Sequence, residues 1–209
     1  MYKKVSKDLR AAYDRAADER DKRELSPWKE RERQAYLELL QQEDKHTLLE
    51  IGAGSGRDSL FFQQNGLQVI SSDLSPEMVR LCRQKGLEAY EMDFLNLDFA
   101  DASFEAVYAL SCLLHVPKAH LAEALLEIRR VMAPGGLFFL GVYGGIEWDG
   151  PWEDDKHVPK RHFALYLDEQ IKAITGDFFA IRDFFAIPLP ESRRSGIHYQ
   201  RLILQKGKD

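Results

Sequence analysis

The chain has 209 residues, 44% of them hydrophobic and 30% charged, with 29 Lys and Arg against 34 Asp and Glu for a formal net charge of −5. That length holds one sizeable core rather than two ordinary domains, and the balance excludes a disordered, collagen-like or membrane-embedded chain; no apolar run approaches the roughly 18 residues of a bilayer span. The acidic balance offers no attraction to a phosphate backbone, so neither nucleic acid nor membrane is an expected partner. The start, MYKKVSKDLRAAYDRAADERDKRE, places charges where a signal peptide needs an apolar stretch, and Cys82 and Cys112 form no C-x-x-C pair. Both features predict a cytoplasmic chain with reduced core cysteines.

In chain order, Val5, Leu9, Ala12, Tyr13 and Ala16 share one helical face, and Ser26-Pro27 then restarts a helix as N-cap and first-turn proline. That second helix turns Trp28, Ala35, Tyr36, Leu39 and Leu40 inward, so two amphipathic helices precede the core. From Thr47 the pattern alternates strand with helix: strands over 47–51, 67–72, 88–92, 104–110 and 137–143, and helices near 57–65, 76–85 and 118–132. Such alternation predicts an α/β fold of parallel strands with crossover helices. The segment YGGIEWDGPWEDDKHVPKRHF, residues 143–163, has no consistent period and reads as a long functional loop. A helix near 168–175 follows, then β-rich runs 178–187 and 197–205 joined by PLPESRRSG, an antiparallel hairpin that brings the sheet to seven mostly parallel strands.

The stretch LLEIGAGSGRD runs an apolar strand into Glu50-x-Gly52-x-Gly54-x-Gly56. Glycines at this junction permit a tight turn and let a ligand approach the backbone at the carboxyl edge of the sheet. Asp73 ends the second strand about 20 residues later, where an acid accepts from ribose hydroxyls in dinucleotide folds; a plain turn acid before Ser75-Pro76 is the other reading. The pyrophosphate fingerprint G-x-G-x-x-G fails, because Arg57 stands where a run from Gly52 needs glycine and Ser59 where a run from Gly54 does.

In these motifs, and in SSDLSPEMV, the acid Asp93, the strand ending YALSCLLHVP and RRVMAPGGLFFLGVY, the chain resembles the class I S-adenosylmethionine-dependent methyltransferases, closely over 47–143. The resemblance implies a Rossmann-like sheet with helices on both faces and S-adenosyl-L-methionine as cofactor, with S-adenosyl-L-homocysteine as product. It assigns Glu50, Gly52, Gly54 and Gly56 to the cofactor loop, the glycines beneath the methionine part. Asp73 would hold both ribose hydroxyls, Leu74 and Met78 would border the adenine, and Asp93 would accept from its amino group beside Phe94. Ser111 would meet the methionyl ammonium. Arg57 would fork onto the methionyl carboxylate or else be a solvated helix-start arginine. The expected organisation is one domain: a helical lid at 1–45, a cofactor core at 46–143, a substrate-lid insertion at 144–166, and a C-terminal helix and hairpin at 167–209.

The expected function is methyl transfer to an O or N nucleophile of a small molecule. His115 is the candidate base or substrate contact, with a hydrogen-bonded structural role as the alternative. Tyr13, Tyr143, Trp148, Trp152, His157 and Arg161 complete the candidate acceptor site, the two tryptophans either enclosing an apolar or cationic acceptor or tucking the lid onto the core. Asp154, Asp155 and His157 lack a fixed ligand spacing, so no metal is expected. Two other functions stay open, a nicotinamide-dependent Rossmann oxidoreductase and a non-catalytic S-adenosylmethionine-binding regulator.

Overall fold

Strand β1 (Thr47–Ile51) is buried along nearly its whole length, as a central parallel strand covered on both faces must be. It pairs in parallel with β2 (Gln68–Asp73) and β4 (Phe104–Leu110), which pair outward with β3 (Glu88–Glu91) and β5 (Met132–Gly144). Beyond β5 lie β9 (His198–Gln205), antiparallel to it, and then β8 (Ala180–Pro188), so the seven strands run β3-β2-β1-β4-β5-β9-β8. The computed structural model describes residues 2–189 and 196–208; most of the expected turn PLPESRRSG lies outside the described residues.

Helices α3 (Arg57–Gln64), α4 (Pro76–Gln84) and α5 (Leu121–Val131) cross between the parallel strands, and α6 (Asp168–Gly176) precedes β8. The Ser75 hydroxyl caps α4 by accepting from the Met78 N–H at 3.2 Å. One sheet face buries Leu125, Ile128 and Phe138 under α5; the other buries Phe62, Tyr108 and Phe139.

The two N-terminal helices do different work. The first, α1 (Tyr2–Asp21), is 20 residues long and packs Tyr13 and Ala17 against Met78 and Leu81 of α4. The second, α2 (Pro27–Gln42), is for most of its length a core element rather than part of a lid: Tyr36, Leu37 and Leu40 are buried on the sheet, the Tyr36 hydroxyl lies 3.0 Å from the carbonyl oxygens of Val107 and Leu137, and only the first turn, at Lys29, reaches the cavities described below. A further correction concerns residues 143–163. Rather than one irregular loop, they contain a separate hairpin of β6 (Trp148–Pro151) and β7 (His162–Leu165), with Trp148 opposite Leu165 and Pro151 opposite His162. Four residues per strand are too few for alternation to show through the intervening Gly, Pro and charged residues. The helix expected from Lys118 begins as a 3₁₀ turn, Lys118–His120, and β5 starts at Met132, five residues before the expected Leu137.

Candidate active site

The strand order reverses direction between β1 and β4, and in open α/β sheets the crevice beyond the carboxyl ends at such a point is where ligands bind. A cavity of about 110 Å³ lies there, bordered by the glycine loop, Asp73, Leu74, Phe94 and Ser111, with Leu9 and Tyr13 of α1 as its roof.

Gly52, Gly54 and Gly56 all have positive φ, at 65°, 57° and 79°, but for different reasons. A Cβ on Gly52 would lie 2.4 Å from Cys112 Cβ, and one on Gly56 would lie 2.5 Å from Leu87 Cδ1 and 2.8 Å from Cys82 Sγ. Those two glycines let the loop pack. A Cβ on Gly54 would meet nothing within 4 Å, because it points into open space at the cavity.

Asp73 fastens this loop, accepting from the Gly54 N–H at 2.8 Å and the Ser75 N–H at 2.9 Å. Burial raises its pKa, and these two amide donors oppose the rise. A carboxylate offers about four lone-pair sites, so two remain for a ligand. Glu50 is buried at the cavity wall, accepts from the Ser59 hydroxyl, and is pushed well up by burial and by Asp58. Ser111 directly follows β4 in a left-handed conformation with φ 58°, its hydroxyl 3.2 Å from that of Tyr199. Cys112 is packed in the core with Sγ 3.1 Å from the Ile51 carbonyl, and burial pushes its thiol up.

Several expected contacts fall elsewhere. Met78 is fully buried beneath α1 and does not border the cavity, and the Asp93 carboxylate also turns away: it accepts from the hydroxyls of Tyr2 and Ser6, the latter at 3.0 Å, and from the Leu95 N–H at 3.0 Å. Both depart from the expected adenine contacts because α1 covers this edge, a docking that motif spacing does not encode. Phe94 does reach the cavity, and Arg57 lines it while donating to the Arg23 carbonyl. Trp148 and Trp152 line neither this cavity nor its neighbour; they stack edge to face at 5.4 Å, and Trp148 Nε1–H donates to the Gly150 carbonyl at 3.1 Å.

A second cavity of about 340 Å³ adjoins the first, and Tyr13, Ser111 and His115 border both. His115 Nδ1 lies 2.7 Å from the His162 carbonyl and so carries the proton it donates. Nε2 is left as the acceptor for the Tyr13 hydroxyl at 2.8 Å, and that oxygen accepts from Arg161 Nη1 at 3.0 Å. Arg161 is held by Asp155 through Nε at 3.0 Å and Nη2 at 2.9 Å, and Asp155 also takes His157 Nδ1 at 2.9 Å. These bonds keep the Asp155 carboxyl well below the usual carboxylate range despite its burial. Arg15 of α1 donates to the Val158 carbonyl at 2.8 Å, so α1 and the hairpin segment meet over the site. Tyr143 lines the second cavity.

Burial, reinforced by Arg161, pushes the His115 pKa down to about 3. The unfolded imidazole takes its proton near pH 6.5 and the folded one far lower, so stability is full above about pH 6.5 and is lost as pH falls toward 3, by up to about 1.4 kcal/mol per pH unit. His115→Gln should flatten urea-measured stability between about pH 6.5 and 4. Equal slopes in the two proteins would show that His115 does not govern this window.

Arg20 and Lys29, which line both cavities, were not among the expected site residues. Arg20 is seven residues after Tyr13, hence on the same helix face, and that spacing was the available signal. Nothing local distinguishes Lys29 from the charges around it.

A sheet with this order, a glycine loop at its switch point and an acid ending the second strand are the features the resemblance implied, and the likeness to known proteins shows that the chain belongs to the class I S-adenosylmethionine-dependent methyltransferases. Residues 49–140 match the methyltransferase domain family. The demethylmenaquinone methyltransferase of Thermobifida fusca is 34% identical over 193 residues, covering 81% of each chain. The human probable tRNA methyltransferase 9B is 29% identical over 107 residues, half of this chain and 23% of that protein. In fold the chain is similar to the Burkholderia thailandensis 1,6-didemethyltoxoflavin-N1-methyltransferase, solved with 1,6-didemethyltoxoflavin and S-adenosylhomocysteine, at TM-score 0.75 and 22% identity over 99% of this chain and 91% of that one. Family membership sets aside the nicotinamide oxidoreductase reading. S-adenosylmethionine is the cofactor, and the cavity suits it: open space above Gly54, spare acceptor sites on Asp73, and apolar flanks at Leu74 and Phe94.

Proposed function

We propose that the chain moves the methyl group of S-adenosylmethionine to an O or N nucleophile of a small molecule held in the second cavity. The observation that carries this reading is the pair of cavities meeting at Tyr13, Ser111 and His115, one against the glycine loop and one beneath the hairpin. In this reading Asp73 binds the ribose hydroxyls, Gly54 leaves room for the cofactor backbone, Leu74 and Phe94 flank the adenine, and Ser111 lies near the methionyl end. The sulfonium supplies an already activated methyl group, so the protein's task is to align the acceptor and exclude water.

His115 holds Tyr13 in this arrangement instead of acting as the base, since both its nitrogens are committed and its pKa lies far below neutrality. Tyr13 presents its phenol at the junction, fixed by His115 behind and Arg161 beside it. The hairpin and α1 together close the acceptor side, with Tyr143 and Phe163 in the wall. The small-molecule relatives favour an acceptor of that size, and among the described residues no helix is long and apolar enough to cross a membrane.

The test is a screen of metabolites with methyl-labelled S-adenosylmethionine, scored by label transfer and S-adenosylhomocysteine release. A hit should lose about ten- to hundredfold in turnover with Tyr13→Phe, the worth of one or two positioning hydrogen bonds, while S-adenosylhomocysteine affinity changes little. Tight cofactor binding with no transfer to any metabolite would favour the regulator reading instead.

A further inference from the structure

The wall of the second cavity runs against the composition of the chain. In a protein of net charge −5, the cavity is lined by five cationic side chains and a single carboxylate, that of Glu24. Three of the cations are engaged: Arg23 pairs with Glu19 at 2.5 Å, Arg161 with Asp155 at 2.9 Å, and Arg57 donates to a backbone carbonyl. Arg20 and Lys29 differ. Among the described residues neither has a carboxylate within ion-pair distance; Arg20 lies over the Tyr13 ring at 4.8 Å and Lys29 over Trp28 at 5.4 Å. Both are partly buried, so water solvates them poorly.

Resting on the proposed methyl transfer, we infer that the acceptor is an anion, a small molecule bearing a carboxylate or an ionised enol or phenol oxygen, which binds between Arg20 and Lys29. Two like charges in one partly buried wall repel each other, and an anion between them relieves that repulsion and their desolvation together. Lys29 registers the strain: burial, with Arg20 and Arg57 adding to it and Asp58 opposing, pushes its pKa down to about 8.

S-adenosylmethionine carries a sulfonium and an ammonium against one carboxylate, so its binding adds net positive charge to the site, and a second anion is favoured even where that carboxylate meets one of the two cations. The rest of the wall suits the apolar body of such an acceptor, with Leu25, Leu114, Tyr143 and Phe163 around it. A cationic acceptor caged by Trp148 and Trp152 is excluded by position, since neither tryptophan reaches the cavity. An anionic acceptor also fits the absence of an uncommitted imidazole base at the junction, because neighbouring cations lower the pKa of an acidic hydroxyl without one.

The test uses the whole chain saturated with S-adenosylhomocysteine and three probes of one shape, benzoate, benzamide and benzylamine, measured by ligand-observed magnetic resonance at millimolar concentration. Benzoate should bind at least about tenfold more tightly than either of the others, and Arg20→Met with Lys29→Met should abolish that preference. A repeat with 5′-methylthioadenosine, which lacks the amino-acid carboxylate, separates the roles of the two cations. Benzoate binding in both complexes supports the inference. Benzoate binding with methylthioadenosine but not with S-adenosylhomocysteine would overturn it, because both cations would then serve the cofactor. Equal binding of the three probes, or no benzoate binding in either complex, would overturn it as well. Failure of the wild-type chain to bind S-adenosylhomocysteine in the first place would instead count against the methyltransferase reading.

Discussion

Asp73→Ala should weaken S-adenosylhomocysteine binding by about 1.5–3 kcal/mol, roughly ten- to 150-fold, the usual worth of hydrogen bonds to a charged group. The carboxylate holds the Gly54 and Ser75 amides, and in the proposed reading it also presents its remaining lone pairs to the ribose. A 2′-deoxyribose analogue separates the two roles. The wild-type chain should discriminate against the analogue and the variant should not, so the coupling between mutation and analogue measures the direct contact. If affinity for both ligands fell equally on mutation, Asp73 would act only by tying down the loop; unchanged affinity in a folded variant would remove it from the cofactor site altogether.

Gly54→Val should abolish measurable cofactor binding in a chain that still folds, whereas Gly52→Ala should lower stability. At Gly54 the added side chain enters open space at the cavity, at a backbone cost of about 1–2 kcal/mol for leaving glycine at positive φ. At Gly52 the new Cβ would overlap Cys112 Cβ, at 2.4 Å, adding about 1–3 kcal/mol of overpacking to the same backbone cost. Calorimetry with S-adenosylhomocysteine beside urea titrations followed by circular dichroism reads both effects. Retained binding by Gly54→Val would mean that no ligand passes close to that backbone.

The core of the fold was legible because its determinants are local. Apolar runs such as LFFL at 137–140, glycines at i, i+2 and i+4, and Pro76 after the capping Ser75 each act within a few residues, so spacing alone reveals them. Asp73 and Phe94 border the cavity, a placement that follows from the ends of strands and of the links after them. Spacing missed at Asp93 and Met78, which are covered by helix residues about sixty to ninety positions away in sequence. For Trp148 and Trp152 it left a cage and a tucked lid both open, and the short hairpin, which folds the two rings onto each other away from the cavities, sets the cage aside.

The amino-acid sequence by itself thus determined the order of strands and helices in the main sheet, the glycine loop and the acid that follows it, and through them the family and its cofactor. Which charges line the second cavity was decided only in three dimensions. Tyr13 and Arg20 lie in a helix whose sequence does not fix what it faces, and the packing of Ala17 against Met78 and Leu81 turns them toward the cavity. Arg161 arrives from the hairpin, 148 residues after Tyr13. A cation in a charged helix is a solvated surface group or a ligand contact according to the surface that covers it, and that surface comes from distant chain whose docking energy no local pattern records.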